Sequence, residues 1–166
     1  MHVPVMIESR FDATEMFCWR TLNERKRMCE FLIDIDSGWF YRMTLMVTGC
    51  DLQAYEEGAF QPDRTEIGHP VFRPLDGAKQ PRHLRIVEST RPMWIGITSN
   101  RRELMIRFNE QRAVREVDSQ LGIAWGFEES DEMVYIRVYE GPDDMIDHLI
   151  ADAGALSSYL SADSDP

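Results

Sequence analysis

Residues 11–36 read FDATEMFCWRTLNERKRMCEFLIDID, and the fold class turns on how this stretch is taken. Its start carries the marks of a helix N-terminus. Asp12 stands at a capping position with Glu15 three residues on, as in a capping box, while Phe11 and Met16 occupy staple positions. A competing reading makes 15–22 a strand that turns at Asn23-Glu24-Arg25-Lys26, because the period there is unclear. The helix is the preferred reading.

Downstream the pattern changes to strict alternation. Cys29, Phe31, Ile33 and Ile35 alternate with Glu30, Leu32, Asp34 and Asp36. After Ser37-Gly38, Trp39, Tyr41, Met43, Leu45 and Val47 alternate with Phe40, Arg42, Thr44 and Met46. Two period-2 runs around Ser-Gly predict a β-hairpin. Alternation resumes at Leu84 and Ile86, at Met93, Ile95 and Ile97, and at Leu104, Ile106 and Phe108, with a turn at Ser99-Asn100. A further pair sets Ile123, Trp125 and Phe127 against Val134, Ile136 and Val138 across the acidic turn Glu128–Glu132. Residues 111–121 are ambiguous in period, although Val114, Val117 and Leu121 fit a helix that would end at Gly122.

Residues 58–81 differ from their surroundings. Pro62, Pro70, Pro74 and Pro81 fall here with three glycines, so a long loop is expected, serving as lid, arm or insertion. Near the other end, Gly141-Pro142 would open a helix, with Asp143 and Asp144 at the positive end of its dipole. Ile146, Leu149, Ile150, Ala153, Leu156 and Leu160 share one stripe of that helix. The expectation is therefore a single α+β domain over 1–160: a curved antiparallel sheet, a short N-terminal helix and an amphipathic C-terminal helix packed on it. A frayed acidic tail follows at 161–166.

Charge is the strongest hint of function. Glu128–Pro166 holds 11 acidic residues and one basic residue, Arg137, whereas the preceding 127 residues hold 18 acidic and 17 basic ones. The net charge of −11 would be repelled by nucleic-acid phosphates and anionic headgroups, so neither direct nucleic-acid binding nor membrane binding is expected. There is no signal-peptide pattern at the start and no membrane-length apolar run. Cys18, Cys29 and Cys50 form no CxxC and read as reduced thiols in a cytoplasmic chain.

Motifs with chemical meaning are sparse. Asp143-Asp144-Met145-Ile146-Asp147 spells DDxxD, but acidic residues at a helix start explain it. Asp144, His148 and Asp152 step along one helical ridge, where the carboxylates would favour the imidazolium. His69 and His83 flank the proline-rich loop, with Asp63, Glu66 and Asp76 near, yet no HExxH or GxSxG fixes a geometry. No phosphate-binding glycine loop occurs. The arginines of 101–115 are read as plainly solvated or as partners for the acidic C-terminal region, within the chain or between copies, in preference to a nucleic-acid site. Of the four tryptophans, an exposed one would serve as an interface anchor.

The leading expectation is a non-catalytic acidic interaction protein. It would present Glu128, Glu129, Asp131, Glu132, Asp143, Asp144, Asp147 and Asp152 to a protein with a basic surface, such as a nucleic-acid-binding protein. Toxin-neutralising immunity proteins and phage-encoded inhibitors are small acidic proteins of this sort. No catalytic residue, cofactor or metal site is assigned, and a homo-oligomer is compatible. The order of elements also resembles helix-grip domains of the START and polyketide-cyclase kind. That resemblance implies a ligand-binding or enzymatic domain, with Met43, Met93, Trp94 and Met105 lining an apolar cavity gated by 58–81. A third expectation is a structural subunit of an oligomeric assembly, with the loop as an interlocking arm.

Overall fold

A computed structural model of the chain describes residues 5–8, 15–23, 27–47, 52–72, 85–89, 93–141 and 144–153. Within them lie twelve strands and one helix: β1 Val5–Glu8, β2 Met16–Asn23, β3 Arg27–Asp34, β4 Phe40–Val47, β5 Gln53–Tyr55, β6 Arg64–Ile67, β7 Arg85–Ser89, β8 Trp94–Thr98, β9 Leu104–Arg107, β10 Arg115–Asp118, β11 Ile123–Phe127, β12 Met133–Val138 and α1 Met145–Ala153. A five-stranded sheet has the order β1-β4-β3-β2-β7, and a seven-stranded sheet the order β5-β8-β9-β12-β11-β10-β6. Both are antiparallel in the middle and take parallel strands at edges: β7 on β2, β5 on β8 and β6 on β10.

The α+β expectation is thus corrected to a two-sheet β architecture. The expected N-terminal helix is strand β2, paired with β3 from Met16↔Asp34 to Asn23↔Arg27. Local capping signals lost to pairing, because Phe17, Trp19 and Thr21 alternate inward and bring β-favouring side chains to the core. Asp12 itself lies outside the described residues. Residues 115–118 are likewise strand β10, which resolves the ambiguous 111–121 stretch against its helical reading. There Glu116 and Val117 are both buried, on opposite faces, which a pleated strand satisfies and a surface helix does not.

The layer over the first sheet is the second sheet, where a long C-terminal helix was expected. Among the described residues helix α1 spans Met145–Ala153 and contributes Ile146 and Leu149 to the core. Leu156 and Leu160 of the expected stripe lie outside the described residues, as does Pro142.

One apolar core joins the sheets. Phe40 of the first sheet meets Trp125 of the second with ring centroids 5.7 Å apart, and Phe31 and Trp19 meet Phe108 at 5.8 and 5.6 Å. These edge-on contacts bridge two pleated faces that pack roughly 10 Å apart.

The alternating hairpins form as their sequences predict. β3 and β4 pair, although the connection is longer than the two-residue turn expected: Gly38 N donates to the Asp34 carbonyl at 2.8 Å. Asp34 Oδ2 stabilises this turn by accepting from Ser37 N at 2.9 Å and Ser37 Oγ at 2.6 Å. Gly38 has φ of +71°, and a β-carbon there would lie 2.5 Å from the Phe72 carbonyl oxygen, so glycine is required. The residues 58–81 include strand β6 and then Val71, which bridges to Trp39; 73–84 lie outside the described residues.

Candidate functional site

The acidic residues singled out in the sequence fall into two groups. Glu128, Glu129, Asp131 and Glu132 share the turn entering β12, while Asp144 and Asp147 lie beyond its other end. Six residues of strand separate the groups by about 20 Å. Asp143 lies outside the described residues, and only the backbone of Asp152 is described, in the last turn of α1.

Arginines reach both groups. Arg115 donates to Asp131 at 2.7 Å, and Arg101 to Asp147 at 3.1 Å. Glu128 accepts from Ser130 Oγ at 2.6 Å, and Asp144 sits 3.7 Å from His148 Nδ1. At the helix end two further carboxylates appear that the charge count alone did not place there. Ser99 Oγ donates to Glu56 at 3.0 Å and Asn100 Nδ2 to Glu57 at 3.3 Å, so the turn after β8 gathers Glu56, Glu57 and Asp147.

Between these ends, the outer face of the seven-stranded sheet carries a second layer of chemistry. Strand register sets Trp94, Arg107, Tyr135, Gly126 and Glu116 in one cross-strand row. The neighbouring row runs Gln53, Gly96, Met105, Arg137, Ala124 and Asp118. Two glycines let aromatic rings lie flat on the sheet. A β-carbon at Gly96 would stand 2.0 Å from the Trp94 ring, and one at Gly126 would stand 2.4 Å from the Tyr135 ring. Trp94 Nε1 donates to Gln53 Oε1.

Laid flat, Tyr135 aims its hydroxyl at Glu116 Oε2, 2.7 Å away. Arg137 grips the same carboxylate with Nη2 at 2.7 Å and Nε at 3.1 Å, and reaches Glu103 with Nη1 at 3.2 Å. Burial works against the Arg137 charge, but the hydrogen bond and field of Glu116, helped by Glu103, outweigh it and hold the guanidinium more firmly protonated than usual. Burial first, then the bond to Glu116, raises the Tyr135 phenol well above its ordinary range. Glu116 accepts three hydrogen bonds, so this carboxylate is committed to structure.

The Met residues expected to line one cavity are divided by the sheet. Met43 belongs to the core between the sheets and Met93 joins it, whereas Met105 and Trp94 belong to the outer-face cluster with Tyr55, Phe60 and Tyr135. Cys18 and Cys29 are free buried thiols, and burial with the nearby Glu30 pushes Cys18 up to about 11. Trp39 is the exposed tryptophan, 48% accessible, with the His69 ring 6.5 Å away. His83 and Cys50 lie outside the described residues.

Sequence reasoning missed the outer-face cluster. A signal was present: Arg137 is the one basic residue among the last 39, and Tyr135, Arg137 and Tyr139 share a period of 2 opposite the apolar Ile136 and Val138. No family of known proteins matches the chain, and no curated protein matches it in sequence.

Proposed function

We propose that the chain is a non-catalytic acidic interaction protein that binds a basic surface on a macromolecular partner, of the inhibitor, immunity or anti-defence type. The carrying observation is the gathering of Glu56, Glu57 and Asp147 on the turn after β8, with Asp144 one helical step away; all four are exposed. Such carboxylates attract a cationic surface at long range and speed encounter.

Arg101 and Arg115 moderate the field without closing it. Their pairs with Asp147 and Asp131 involve exposed acids, and such pairs contribute little to stability. A partner's guanidinium can therefore exchange with Arg101 at small cost. Glu128, Glu129, Asp131 and Glu132 offer a second acidic point at the far end of β12. A nucleic-acid-binding protein would present a surface of the required sign. The buried free thiols of Cys18 and Cys29 are compatible with the reducing cytoplasm as the site of action. Among the described residues no helix is long and apolar enough to cross a membrane.

Partner capture with the native chain beside a variant carrying Asn at 143, 144, 147 and 152 tests this reading. A basic protein retained by the native chain should be lost from the variant, and its affinity should fall as salt rises from 50 to 300 mM, roughly the range over which screening strengthens. Equal retention by both chains, or affinity indifferent to salt, contradicts it.

A further inference from the structure

The turn 57–60 folds back over the outer face of the seven-stranded sheet and sets Phe60 among three side chains. Its ring centroid lies 5.5 Å from that of Tyr55 and 5.6 Å from that of Trp94, edge-on to each, and the Arg107 guanidinium carbon stands 4.6 Å over its face. Tyr55 and Trp94 are themselves 5.8 Å apart. Phe60 thus fills a niche that has two aromatic walls and a cationic cover.

The niche is only half satisfied. Tyr55 is 8% exposed, yet among the described residues its hydroxyl has no hydrogen-bond partner, and Arg107 Nε is buried without one there. Arg107 Nη2 donates to the Gln111 carbonyl at 3.0 Å, which leaves the guanidinium with a neutral acceptor there. A hydrocarbon ring supplies stacking but accepts no hydrogen bond, and buried donors left unpaired are costly.

We propose that Phe60 stands where a ligand ring binds, and that this niche between Tyr55, Trp94 and Arg107 takes a small aromatic carboxylate. The ligand ring replaces that of Phe60, and its carboxylate accepts from Arg107 Nε with one oxygen and from Tyr55 Oη with the other. A carboxylate is favoured over a neutral group because hydrogen bonds between ions are the stronger ones, most of all where water is excluded. A polyphosphate is disfavoured by Glu103 and Glu110 nearby.

The size of the occupant follows from the anchors of the covering segment. Ser99 N donates to the Tyr55 carbonyl at 3.1 Å on one side, and Asp63 N to the Val114 carbonyl at 3.1 Å on the other. Only the few residues between can lift, and Gly58 with φ of +86° gives them a hinge. A single ring fits that span. Glu56 and Glu57 of the acidic surface belong to the same covering segment, but the ligand contacts at Tyr55, Trp94 and Arg107 are not among that surface's residues, so benzoate binding and salt-dependent partner capture test the two readings apart.

The test is calorimetric titration of the full chain with benzoate, benzamide and acetate. Removing the internal competitor with Phe60→Ala should tighten benzoate binding about tenfold, because a filled niche lowers the competent fraction. On that background, benzamide and acetate should bind at least about tenfold more weakly than benzoate, and adding Tyr55→Phe or Arg107→Met should cost a similar factor. Should Phe60→Ala lose the native spectrum, Phe60→Leu replaces it, and benzoate-induced shifts of the Trp94 indole N–H in the native chain provide a second readout. Benzoate binding that is no tighter without Phe60, or that ignores the loss of Tyr55 Oη and Arg107, or an indole signal that does not move, overturns the proposal.

Discussion

Strand β12 carries two kinds of charge pairing, and they differ in what they do. In its middle, Arg137 is clasped by Glu116 and Glu103, with side chains 22%, 5% and 17% exposed. Beyond its ends, Asp131 and Asp147 pair with arginines while remaining 76% and 63% exposed. Coulomb attraction grows as the local dielectric falls, and so does the cost of leaving one partner alone. The middle pairing therefore holds the outer face together. The end pairings hold little and stay available for exchange.

The sharpest way to break this contrast is to remove one member of the buried set. Glu116→Leu leaves Arg137 without its bidentate partner and Tyr135 without its acceptor, and should cost about 3 kcal/mol in urea unfolding. Replacing Glu116 and Arg137 together by Leu and Met should cost clearly less than the sum of the single changes, because no buried charge is then stranded. Additive losses would mean that the two side chains do not act as a unit.

Next in size is the glycine under the Tyr135 ring. Gly126→Ala places a methyl 2.4 Å from that ring, so the ring must lift and its hydroxyl must leave Glu116. A loss of about 1–3 kcal/mol is expected, and most of it should vanish on a Glu116→Leu background.

A smaller, pH-dependent effect belongs to Tyr139. Its ring lies under Arg137, with the guanidinium carbon 4.9 Å from the centroid, and its hydroxyl donates to Asp118. Burial, then the bond to Asp118, moves the phenol from 10.0 up to about 12, with Arg137 opposing. A raised phenol binds its proton more tightly in the folded state, so this contribution is present below pH 10 and is lost as pH rises from 10 towards 12. Tyr139→Phe should flatten the fall of the unfolding midpoint across that window.

How much of this was legible in the sequence depended on the range of the interaction. The hairpins β3–β4 and β11–β12 were readable because alternation at Cys29–Ile35 and at Val134–Val138 reports local pleating directly. β2 was misread because Asp12 and Glu15 are local capping signals, while the competing pairing with β3 becomes visible only once both strands are aligned. Glu116 shows the same limit more severely. Its partners Tyr135 and Arg137 lie about twenty residues away, and β10 enters the sheet between β11 and β6, an order no local pattern encodes. The charge of 128–166 was plain in the sequence, but its division between the two ends of β12 was not, since that needed strand direction. Glu56 and Glu57 joined it only through contacts with Ser99 and Asn100, forty-three residues on.

The smallest stability effect expected is at the exposed ends. Arg101→Ala should change unfolding free energy by no more than about 0.5 kcal/mol, yet it should tighten a basic partner by removing the competing cation. A large loss of stability would place Arg101 with the structural pairs.

Both halves of the contrast meet in one measurement: unfolding free energy and affinity for a captured basic partner, taken together on the chain with Asn at 143, 144, 147 and 152. The account predicts stability within about 1 kcal/mol of the native chain, with partner affinity and its dependence on salt both largely lost. Native-like affinity in that variant, at low and high salt alike, would contradict it.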